Sequence, residues 1–450
     1  MLTESADRAA YEADWRKLYA NPALAVALPH TPAQVSALVR LCAAHGIAIV
    51  PQGGNTGLVA GGVPVAGTPQ LILSLARMNR ILALDPQGDT ITVQAGVTLQ
   101  AVQEAAAAAD KLFPVSFGAE GTAQIGGVIS TNAGGVQVLS YGTLRAQVLG
   151  LEVVLADGRI WDGLRALRKD NTGLDLKQIF IGAEGTLGVI TAACLKLSPS
   201  LNARATALIG VCGPEAALTL FQSLRAQSGS GLTLCEYISG PAMALANAPP
   251  PFAAPAYVLA ELSAHDATAG VTTALESALA AALDSGTATH AVLAQSHRER
   301  TALIALRESV PEGELATGGA IKHDIAVPLA AIPATLAAIE ALFAEKYPTT
   351  RLNIFGHIGD GNLHVNVRPP AGKTLAALAA QKSAITQAIE SLAVARGGSF
   401  SAEHGIGQIR LPGMSAHKST VELDLMRAIK TALDPQNLLN PGKMIPPKES

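Results

Sequence analysis

Three glycine-rich tracts in the first 200 residues constrain the fold of this chain more than any other feature of its sequence. They cover residues 51–57, 114–135 and 182–188, and each lies beside a segment of strand-like composition. Because glycine leaves backbone N–H groups open to approach, such tracts can form nests for anionic oxygens. The first tract is neither a Gly-x-Gly-x-x-Gly nor a Walker sequence. We expect the first tract to serve no packing role but to bind a diphosphate, with a mobile surface loop as the alternative. The second is expected to pack a flat ligand against its main chain, and the third to face a ligand as well.

The order of strand and helix signals indicates an α+β protein of two domains. Thr31 and Pro32 start a helix with a capping hydroxyl and a proline at its first position, and Gly46 ends it. Beyond residue 205, strand-like and helix-like segments alternate in a way that is typical of an antiparallel sheet backed by helices. The boundary between the domains is expected at 198–202, where Pro199 marks the end of a strand.

Composition argues against several classes of function. The formal net charge is −3 and basic residues do not cluster, so a nucleic-acid partner is not expected. No apolar run is long enough to span a bilayer, and the N-terminus lacks the apolar segment of a secretory signal. The four cysteines lie in or beside apolar stretches, so buried thiols are expected at Cys42, Cys194, Cys212 and Cys235. These features predict a soluble cytoplasmic protein in a reducing compartment.

Candidate chemistry lies near the end of the chain, where His357 and His364 flank the turn 359–362. This Gly-Asp-Gly-Asn turn has the composition of a hairpin connection. Side chains at the two mouths of such a turn can converge on one face, so the imidazoles are candidate metal ligands, with a structural role as the alternative. Glu403 would supply a third ligand and leave His404 as a base. Asp360 and Asn362 are expected to shape the turn.

Together these segments resemble a known family. The three glycine tracts and the tail 440–443, Asn-Pro-Gly-Lys, are similar to the FAD-binding domain of the vanillyl-alcohol-oxidase and p-cresol-methylhydroxylase (PCMH) type. The histidine hairpin and the segment 401–405, Ser-Ala-Glu-His-Gly, resemble the FAD-dependent D-2-hydroxyacid dehydrogenases. Within that family, Ser401 and Ala402 before Glu403, and Asn366 after His364, look most like the D-2-hydroxyglutarate branch. The resemblance runs over nearly the whole chain.

The resemblance implies an α+β fold with a PCMH-type FAD-binding domain in residues 1–200. It implies a substrate or cap domain with the metal site in residues 201–420, and a C-terminal helical segment, 421–450, that packs back on the FAD domain. FAD is expected to be non-covalent, because the tracts 51–62 and 114–135 contain neither His nor Cys. The implied cofactor-binding residues are Pro51, Gly53, Gly54, Asn55, Thr56, Gly57, Ser116, Gly118, Gly121, Thr122, Gly126, Gly127, Ser130, Asn132, Gly134, Gly135, Glu184, Gly188, Ile190 and Asn440.

The resemblance also implies the residues that bind metal and substrate. His357, His364 and Glu403 would hold a divalent metal, with zinc ahead of manganese. His404 would contact the substrate and act as the general base.

In the D-2-hydroxyglutarate branch an arginine and a lysine hold carboxylates, and Arg307 and Lys322 match them here, with Asn366 as a further substrate residue. The alternatives are a surface ion pair for Arg307 and an exposed strand position for Lys322, and the neighbouring His323 is expected to be solvated. The chain departs from the branch at Pro311, where a threonine is usual. Since proline cannot donate a hydrogen bond, the identity of the diacid stays open.

The implied activity is that of an FAD-dependent dehydrogenase that oxidises D-2-hydroxyglutarate, or a close D-2-hydroxy acid such as D-malate, to the 2-oxo acid. Metal-assisted loss of the hydroxyl proton to His404 would accompany hydride transfer to flavin N5. The alternatives are a D-lactate dehydrogenase or a glycolate oxidase-type enzyme of the same family and, outside it, a metal-dependent hydrolase or a non-catalytic flavin-binding subunit. An electron-transfer flavoprotein is the expected electron acceptor, and a homodimer is one expected assembly.

Overall fold

The computed structural model describes residues 1–448, and the chain forms two compact units. Unit 1 contains residues 1–135, 141–200 and 403 onward, and unit 2 contains residues 136–140 and 201–402. All three glycine tracts lie in unit 1 and the histidine hairpin lies in unit 2. The predicted substrate domain extends to residue 420, whereas unit 2 ends at Ala402.

Helices and strands alternate along the chain. The α-helices are α1 (Ser5–Glu12), α2 (Pro32–His45), α3 (Leu99–Ala107), α4 (Ile125–Ser130), α5 (Val138–Tyr141), α6 (Lys177–Phe180), α7 (Pro214–Ser228), α8 (Gly240–Met243), α9 (Val271–Asp284), α10 (His297–Glu308), α11 (Val310–Ala316), α12 (Ile332–Lys346), α13 (Lys382–Val394), α14 (Leu411–His417) and α15 (Thr420–Leu433). Short 3-10 helices cover Leu144–Gln147, Gly229–Gly231, Leu329–Ala331 and Leu375–Gln381. The strands are β1 (Ala25–Ala27), β2 (Ala48–Gln52), β3 (Gln70–Ser74), β4 (Ile81–Asp85), β5 (Thr90–Gln94), β6 (Lys111–Leu112), β7 (Val148–Val154), β8 (Ile160–Gly163), β9 (Val189–Lys196), β10 (Ser198–Pro199), β11 (Ala203–Val211), β12 (Leu232–Ser239), β13 (Ala256–Ala264), β14 (His290–Leu293), β15 (Asp324–Ala326), β16 (Arg351–His357) and β17 (Asn362–Arg368).

Unit 1 contains a parallel sheet of three strands and an antiparallel sheet of five. The first has the order β1-β3-β2 and the second the order β4-β5-β9-β7-β8, and β6 pairs with β10. Helix α2 starts as predicted, because the Thr31 hydroxyl accepts a hydrogen bond from the N–H of Gln34 and Pro32 occupies the first turn. Gly46 follows the helix in the left-handed conformation, with φ of 62°.

Unit 2 is built on one antiparallel sheet of seven strands, as the alternating pattern predicts. The strand order is β14-β11-β13-β12-β16-β17-β15. Neighbouring residues of a strand point to opposite faces, and Ile354 and Phe355 accordingly belong to two different apolar clusters. Helices α7, α9, α12 and α13 contribute to the cluster of Ile354, and α8, α10 and α11 contribute to that of Phe355.

The hairpin of β16 and β17 positions the two candidate histidine ligands. His357 lies opposite Asn362, and Arg351 lies opposite Arg368. The Asp360 carboxylate accepts a hydrogen bond from the N–H of Asn362 at 3.0 Å, which confirms that Asp360 shapes the turn. The Asn362 amide instead donates to the Asp324 carboxylate of β15. One face of the hairpin packs into the core. The other face carries, from the turn outward, His357, Asn362, Phe355, His364, Asn353, Asn366, Arg351 and Arg368.

Among residues 1–448 no helix combines the length and the apolar character needed to cross a membrane. All four cysteines are free thiols, and Cys42, Cys194 and Cys235 are buried as predicted. The prediction is wrong for Cys212, which is exposed. Cys212 lies in the connection between β11 and α7, directly after the last buried residue of the strand.

Replacing Gly361 by alanine should destabilise the hairpin that carries both histidines. Gly361 has a φ of +84°, and a Cβ there would lie 2.2 Å from the carbonyl oxygen of Val327. Backbone strain and the clash with main chain should together lower the free energy of unfolding by at least about 3 kcal/mol, measured by urea denaturation. Gly372→Ala is the matched control, because its φ is +74° but no atom lies within 4 Å of the added Cβ. The control should lose only about 1–2 kcal/mol, and equal losses in the two variants would contradict this account.

Candidate active site

Some glycines of the predicted cofactor tracts are required by close packing within unit 1. A Cβ at Gly54 would lie 2.0 Å from the carbonyl oxygen of Thr122, and one at Gly126 would lie 2.8 Å from the Cβ of Ala95. Gly188 is likewise packed against side chains of the core. The expectation that the first tract serves no packing role is wrong at Gly54, because a neighbouring chain segment approaches there at a distance that only glycine allows.

Other glycines of the same tracts border open space. No atom lies within 4 Å of the place where a Cβ would stand at Gly57, Gly118 or Gly127. In the second tract the Oε1 atom of Gln124 is buried and has no hydrogen-bond partner among the described residues. Because a buried acceptor without a donor is costly, a ligand that donates a hydrogen bond would stabilise this region. Open glycines beside an unpaired acceptor fit the FAD that the tracts predict.

Four residues of the predicted cofactor set other than glycine have a left-handed backbone. Their φ angles are 53° at Asn55, 48° at Asn132, 51° at Glu184 and 45° at Asn440. Asparagine tolerates this conformation better than other side chains, but a glutamate in it is uncommon. Such strain costs about 1–3 kcal/mol for each residue and persists only where the surrounding structure imposes it.

Hydrogen bonds to its buried carboxylate hold Glu184 in this backbone conformation. It accepts the N–H groups of Ile406 and Gly407, each at 2.7 Å. Burial raises the pKa of Glu184, and the two N–H donors oppose that shift. Gly405 and Gly407 both have positive φ, and a Cβ on Gly405 would lie 2.8 Å from a Glu184 carboxylate oxygen. The glycines after His404 therefore let this loop approach Glu184 closely.

The C-terminal tail is tied to unit 1 through Asn440 and Lys443. The Asn440 amide donates to the carbonyl oxygens of Gly61 at 3.1 Å and Glu184 at 2.7 Å. The Lys443 ammonium donates to the Gly61 carbonyl at 2.9 Å and to the Asn440 amide oxygen at 2.6 Å. Burial lowers the pKa of Lys443 to about 7, and the charge of Glu184 opposes this shift. Both side chains thus hold main chain next to the first glycine tract.

Glu403 and His404 lie where the chain re-enters unit 1. The Nε2 atom of His404 lies 3.8 Å from a Glu403 carboxylate oxygen, and its Nδ1 atom lies 3.5 Å from Nη2 of Arg410. A carboxylate beside an imidazole stabilises the imidazolium that forms when the ring accepts a proton. Ala402, the residue before this pair and the last of unit 2, donates its N–H to the Asp324 carboxylate at 3.1 Å.

The hairpin of unit 2 brings the two predicted histidine ligands together. The ring centroids of His357 and His364 are 5.9 Å apart in an edge-on arrangement, and both residues are buried. The Nδ1 atom of His357 is hydrogen-bonded to the carboxylate of Glu236, and that of His364 lies 3.7 Å from the carboxylate of Asp324. Each ring thus has a carboxylate on its Nδ1 side, which is the kind of partner that supports a metal-binding imidazole. Two imidazoles supported in this way fit a divalent metal.

Glu236 also binds Arg307, so one buried carboxylate joins two predicted site residues. The Nε atom of Arg307 donates to Glu236 at 2.7 Å, and its guanidinium lies 4.5 Å from the centroid of the Phe355 ring. Burial alone would raise the pKa of Glu236, but the charges of His357 and Arg307 and their hydrogen bonds lower it to about 2. Arg307 therefore belongs to a buried ion pair, and the alternative of a surface ion pair is wrong.

A second buried glutamate joins the other two predicted substrate residues. Glu314 of α11 is fully buried, and the Asn366 amide donates to its two oxygens at 2.8 and 3.0 Å. The Asn353 amide donates to the same carboxylate. The Lys322 ammonium lies 3.7 Å from it, and its side chain is 29% exposed.

His323, beside Lys322, is buried rather than solvated, so that prediction is wrong. Its ring nitrogens lie 2.8 Å from the Val365 carbonyl oxygen and 3.1 Å from the Thr386 hydroxyl. Because successive residues of an extended chain point to opposite sides, His323 faces inward where Lys322 faces the polar side of the sheet.

Both parts of the chain match families of FAD enzymes. Residues 201–444 match the family described as FAD linked oxidases, C-terminal domain, and residues 23–163 match the family described as FAD binding domain. The chain belongs to the FAD-linked oxidase family. This membership makes it an FAD-dependent oxidoreductase and confirms the predicted family and FAD as a cofactor.

This FAD-linked oxidase is similar to several proteins named D-2-hydroxyglutarate dehydrogenase. One from Xanthomonas citri pv. viticola is 38% identical, over 99% of this chain and 94% of that protein. A mitochondrial one from Bos taurus is 37% identical, over 96% of this chain and 79% of that protein. One from Stutzerimonas stutzeri is 34% identical, over 99% of this chain and 96% of that protein.

Solved structures with the same fold confirm the predicted PCMH-type α+β architecture. A p-cresol methylhydroxylase with substrate bound has a TM-score of 0.73 at 17% identity, over 99% of this chain and 93% of its own. An alkyldihydroxyacetonephosphate synthase has a TM-score of 0.74 at 16% identity, over 98% of this chain and 81% of its own. At these identities the likeness concerns the fold alone.

Three buried acids of this oxidase, Glu236, Glu314 and Asp324, belong to no motif found in the sequence. Glu236 interrupts an apolar strand, and that could have been a signal, because a buried charge requires a partner, whereas Asp324 begins its strand directly after two polar residues. Glu314 gives no such signal, because it lies in a short helix whose residues are mostly polar or small. Its role depends on side chains that come from other parts of the chain.

Replacing Lys443 by methionine should change how the free energy of unfolding depends on pH. The pKa of Lys443 is about 7 in the folded protein, which is below the ordinary lysine value of 10.5. Between these values the unfolded chain binds more protons, so the wild type should gain up to about 1.4 kcal/mol of stability per pH unit from this group as pH rises. Lys443→Met should lack that contribution, as measured by urea unfolding at pH 7, 8 and 9.

The exposed Lys382 provides the matched control for this experiment. Lys382→Met should follow the wild-type pH dependence. Parallel pH profiles for wild type and Lys443→Met would contradict the lowered pKa of Lys443.

Proposed function

We propose that this enzyme oxidises D-2-hydroxyglutarate, or a close D-2-hydroxy acid such as D-malate, to the corresponding 2-oxo acid. Relatives that carry the D-2-hydroxyglutarate dehydrogenase name align with nearly the whole chain. The observation that carries the proposal is the buried Glu236, which binds both His357 and Arg307. This carboxylate joins a metal-binding imidazole to a carboxylate-binding guanidinium, and a 2-hydroxy acid offers a hydroxyl and a carboxylate to such a pair.

FAD, when bound, supplies the hydride acceptor, and a divalent metal would supply Lewis acidity toward the substrate hydroxyl. The metal would be held by His357, His364 and Glu403, with zinc ahead of manganese, since both accept imidazole and carboxylate donors. The residues of the three glycine tracts would hold FAD without a covalent link, and Asn440 would support them through Gly61 and Glu184.

The side chains divide the remaining tasks. His404 would accept the hydroxyl proton, and a base of this kind contributes about 10²–10⁴ in rate. Because Nε of Arg307 is used by Glu236, its two terminal nitrogens are the groups that grip a carboxylate. Lys322 and Asn366 would contact the substrate tail as a point charge and an amide.

An activity of the D-lactate dehydrogenase or glycolate oxidase type is the alternative, because Pro311 stands where a hydrogen-bond donor is usual in the D-2-hydroxyglutarate branch. A metal-dependent hydrolase or a non-catalytic subunit fits less well, because neither activity accounts for membership of the FAD-linked oxidase family. An electron-transfer flavoprotein as acceptor, a homodimer and a cytoplasmic location stay predictions.

Anaerobic reduction of the protein-bound flavin tests the activity. The purified holoenzyme is mixed separately with D-2-hydroxyglutarate and D-lactate, before and after treatment with a chelator. We expect rapid loss of the flavin absorbance near ~450 nm with the diacid, and a much slower loss after chelation. Reduction by D-lactate alone would favour the alternative substrate. If no 2-hydroxy acid reduces the flavin, the proposal is wrong.

Replacing Glu236 by glutamine should weaken metal binding. The carboxylate fixes the Nδ1 side of His357, and loss of such a partner typically costs 10–100-fold in metal affinity, an order-of-magnitude range of about 1–3 kcal/mol. Metal retained during titration with a competing chelator is the measurement. Glu276→Gln makes the same chemical change at an exposed site of unit 2 and should leave the metal affinity unaltered. Equal affinities in the two variants would show that Glu236 does not support the metal site.

A further inference from the structure

Two arginines lie opposite each other at the end of the hairpin that is remote from its turn. Arg351 of β16 is the direct partner of Arg368 of β17, and both lie on the face that carries the two histidines. Like charges that lie directly opposite each other in a sheet are destabilising, so this pair requires compensation. Arg368 is only 6% exposed, so water supplies little of it.

Among residues 1–448 the hydrogen bonds of these two guanidinium groups go to neutral oxygens. Nε of Arg351 donates to the carbonyl oxygen of Pro369 at 2.9 Å, and Nη2 of Arg368 donates to the hydroxyl of Thr317 at 2.6 Å. Nη2 of Arg351 and Nε of Arg368 are buried, and within the described part of the chain neither has a partner. Because a buried donor without an acceptor is costly, these two atoms mark a place for a negatively charged acceptor.

The nearby Glu314 does not neutralise this arginine pair. Burial and the charge of Arg351 lower the pKa of Arg368, and the charge of Glu314 opposes that shift. The Glu314 carboxylate is itself bound by two asparagine amides and lies 3.7 Å from the Lys322 ammonium. One carboxylate against the three cations Lys322, Arg351 and Arg368 leaves two positive charges in excess. A doubly charged anion would restore the balance.

An unpaired acceptor lies at the next position of the same face. Asn353 is two residues from Arg351 in β16, and its Oδ1 atom is buried without a partner in the described residues. A ligand that accepts from both arginines and donates to Asn353 would satisfy all three atoms. Hydrogen phosphate combines these properties near neutral pH, because it carries anionic oxygens and a hydroxyl, whereas sulfate has no hydroxyl.

We propose that Arg351 and Arg368 form a binding site for inorganic phosphate, in which both guanidinium groups donate to its anionic oxygens and Asn353 accepts its hydroxyl. The planar guanidinium group matches phosphate geometry. Arg351 is half-buried and Thr317 is exposed, so solvent reaches the site beside the buried Arg368. None of these residues belongs to the set that is proposed to bind the 2-hydroxy acid, and the inference does not rest on the proposed function.

Isothermal titration calorimetry of the purified holoenzyme with inorganic phosphate tests the site, with chloride used to keep the ionic strength constant. We expect saturable binding to wild type, and an affinity at least about tenfold weaker in Arg351→Gln and in Arg368→Gln. Arg298→Gln is the matched control, because it makes the same change at an exposed position of unit 2 and should bind phosphate as wild type does. Arg351→Gln alters a half-buried residue, so it carries the test if Arg368→Gln does not fold.

A second titration needs no variant and compares phosphate with sulfate. Sulfate carries the charge but cannot donate a hydrogen bond to Asn353, so wild-type enzyme should bind it at least about tenfold more weakly. Equal affinities for the two anions would show that the assignment to phosphate is wrong.

Three further outcomes would overturn the proposal. One is the absence of saturable phosphate binding to wild type, and another is binding of unchanged affinity in both arginine variants. The third is displacement by D-2-hydroxyglutarate of the phosphate that depends on Arg368, because the arginine pair would then belong to the substrate site. Reduction of the flavin by 2-hydroxy acids decides the proposed function separately, so either proposal can fail while the other stands.

Discussion

The buried ion pair and hydrogen bond of Glu236 are the interactions on which the candidate site of unit 2 depends. Glu236 lies in β12, paired with β13 on one side and β16 on the other, and is 1% exposed. A carboxylate in this position requires compensation, and removal of one partner of a buried pair costs about 3–5 kcal/mol. His357 and Arg307 supply that compensation. The orientations of the His357 imidazole and the Arg307 guanidinium are therefore coupled, because both are fixed by the same carboxylate.

In unit 1 the main constraint is a strained backbone conformation at Glu184. Glu184 holds a left-handed backbone that costs about 1–3 kcal/mol, but hydrogen bonds to a charged group contribute about 1.5–3 kcal/mol each. Its carboxylate accepts two backbone N–H groups and its carbonyl accepts the Asn440 amide. These bonds hold the backbone of Glu184 in its left-handed conformation. One residue of the third glycine tract consequently fixes both the loop after His404 and the C-terminal tail, two segments that are remote from it in the chain.

Features that depend on neighbouring residues could be predicted from the sequence, and features that depend on distant ones could not. The hairpin follows from a turn of four residues, and the start of α2 follows from Thr31 and Pro32. In contrast, Glu236 is separated by 71 residues from Arg307 and by 121 from His357. The local periodicity of the sequence does not indicate which side chains will pair over such distances, because strand order within a sheet is set by tertiary packing. The same reason explains why some glycines that suggested a ligand instead pack against main chain, as Gly54 does against Thr122.

The positions of Pro311 and Glu314 are structurally linked, although only Pro311 departs from the family pattern in the sequence. Pro311 lies in the first turn of α11, where its missing N–H would have had no partner within the helix. Glu314 follows three residues later, on the same side of the helix. A proline that starts the helix therefore also sets the direction of the carboxylate one turn further on. The helix start at 311 and the buried carboxylate at 314 are thus parts of one local arrangement, because the first turn of α11 places Glu314 where it accepts the amides of Asn353 and Asn366.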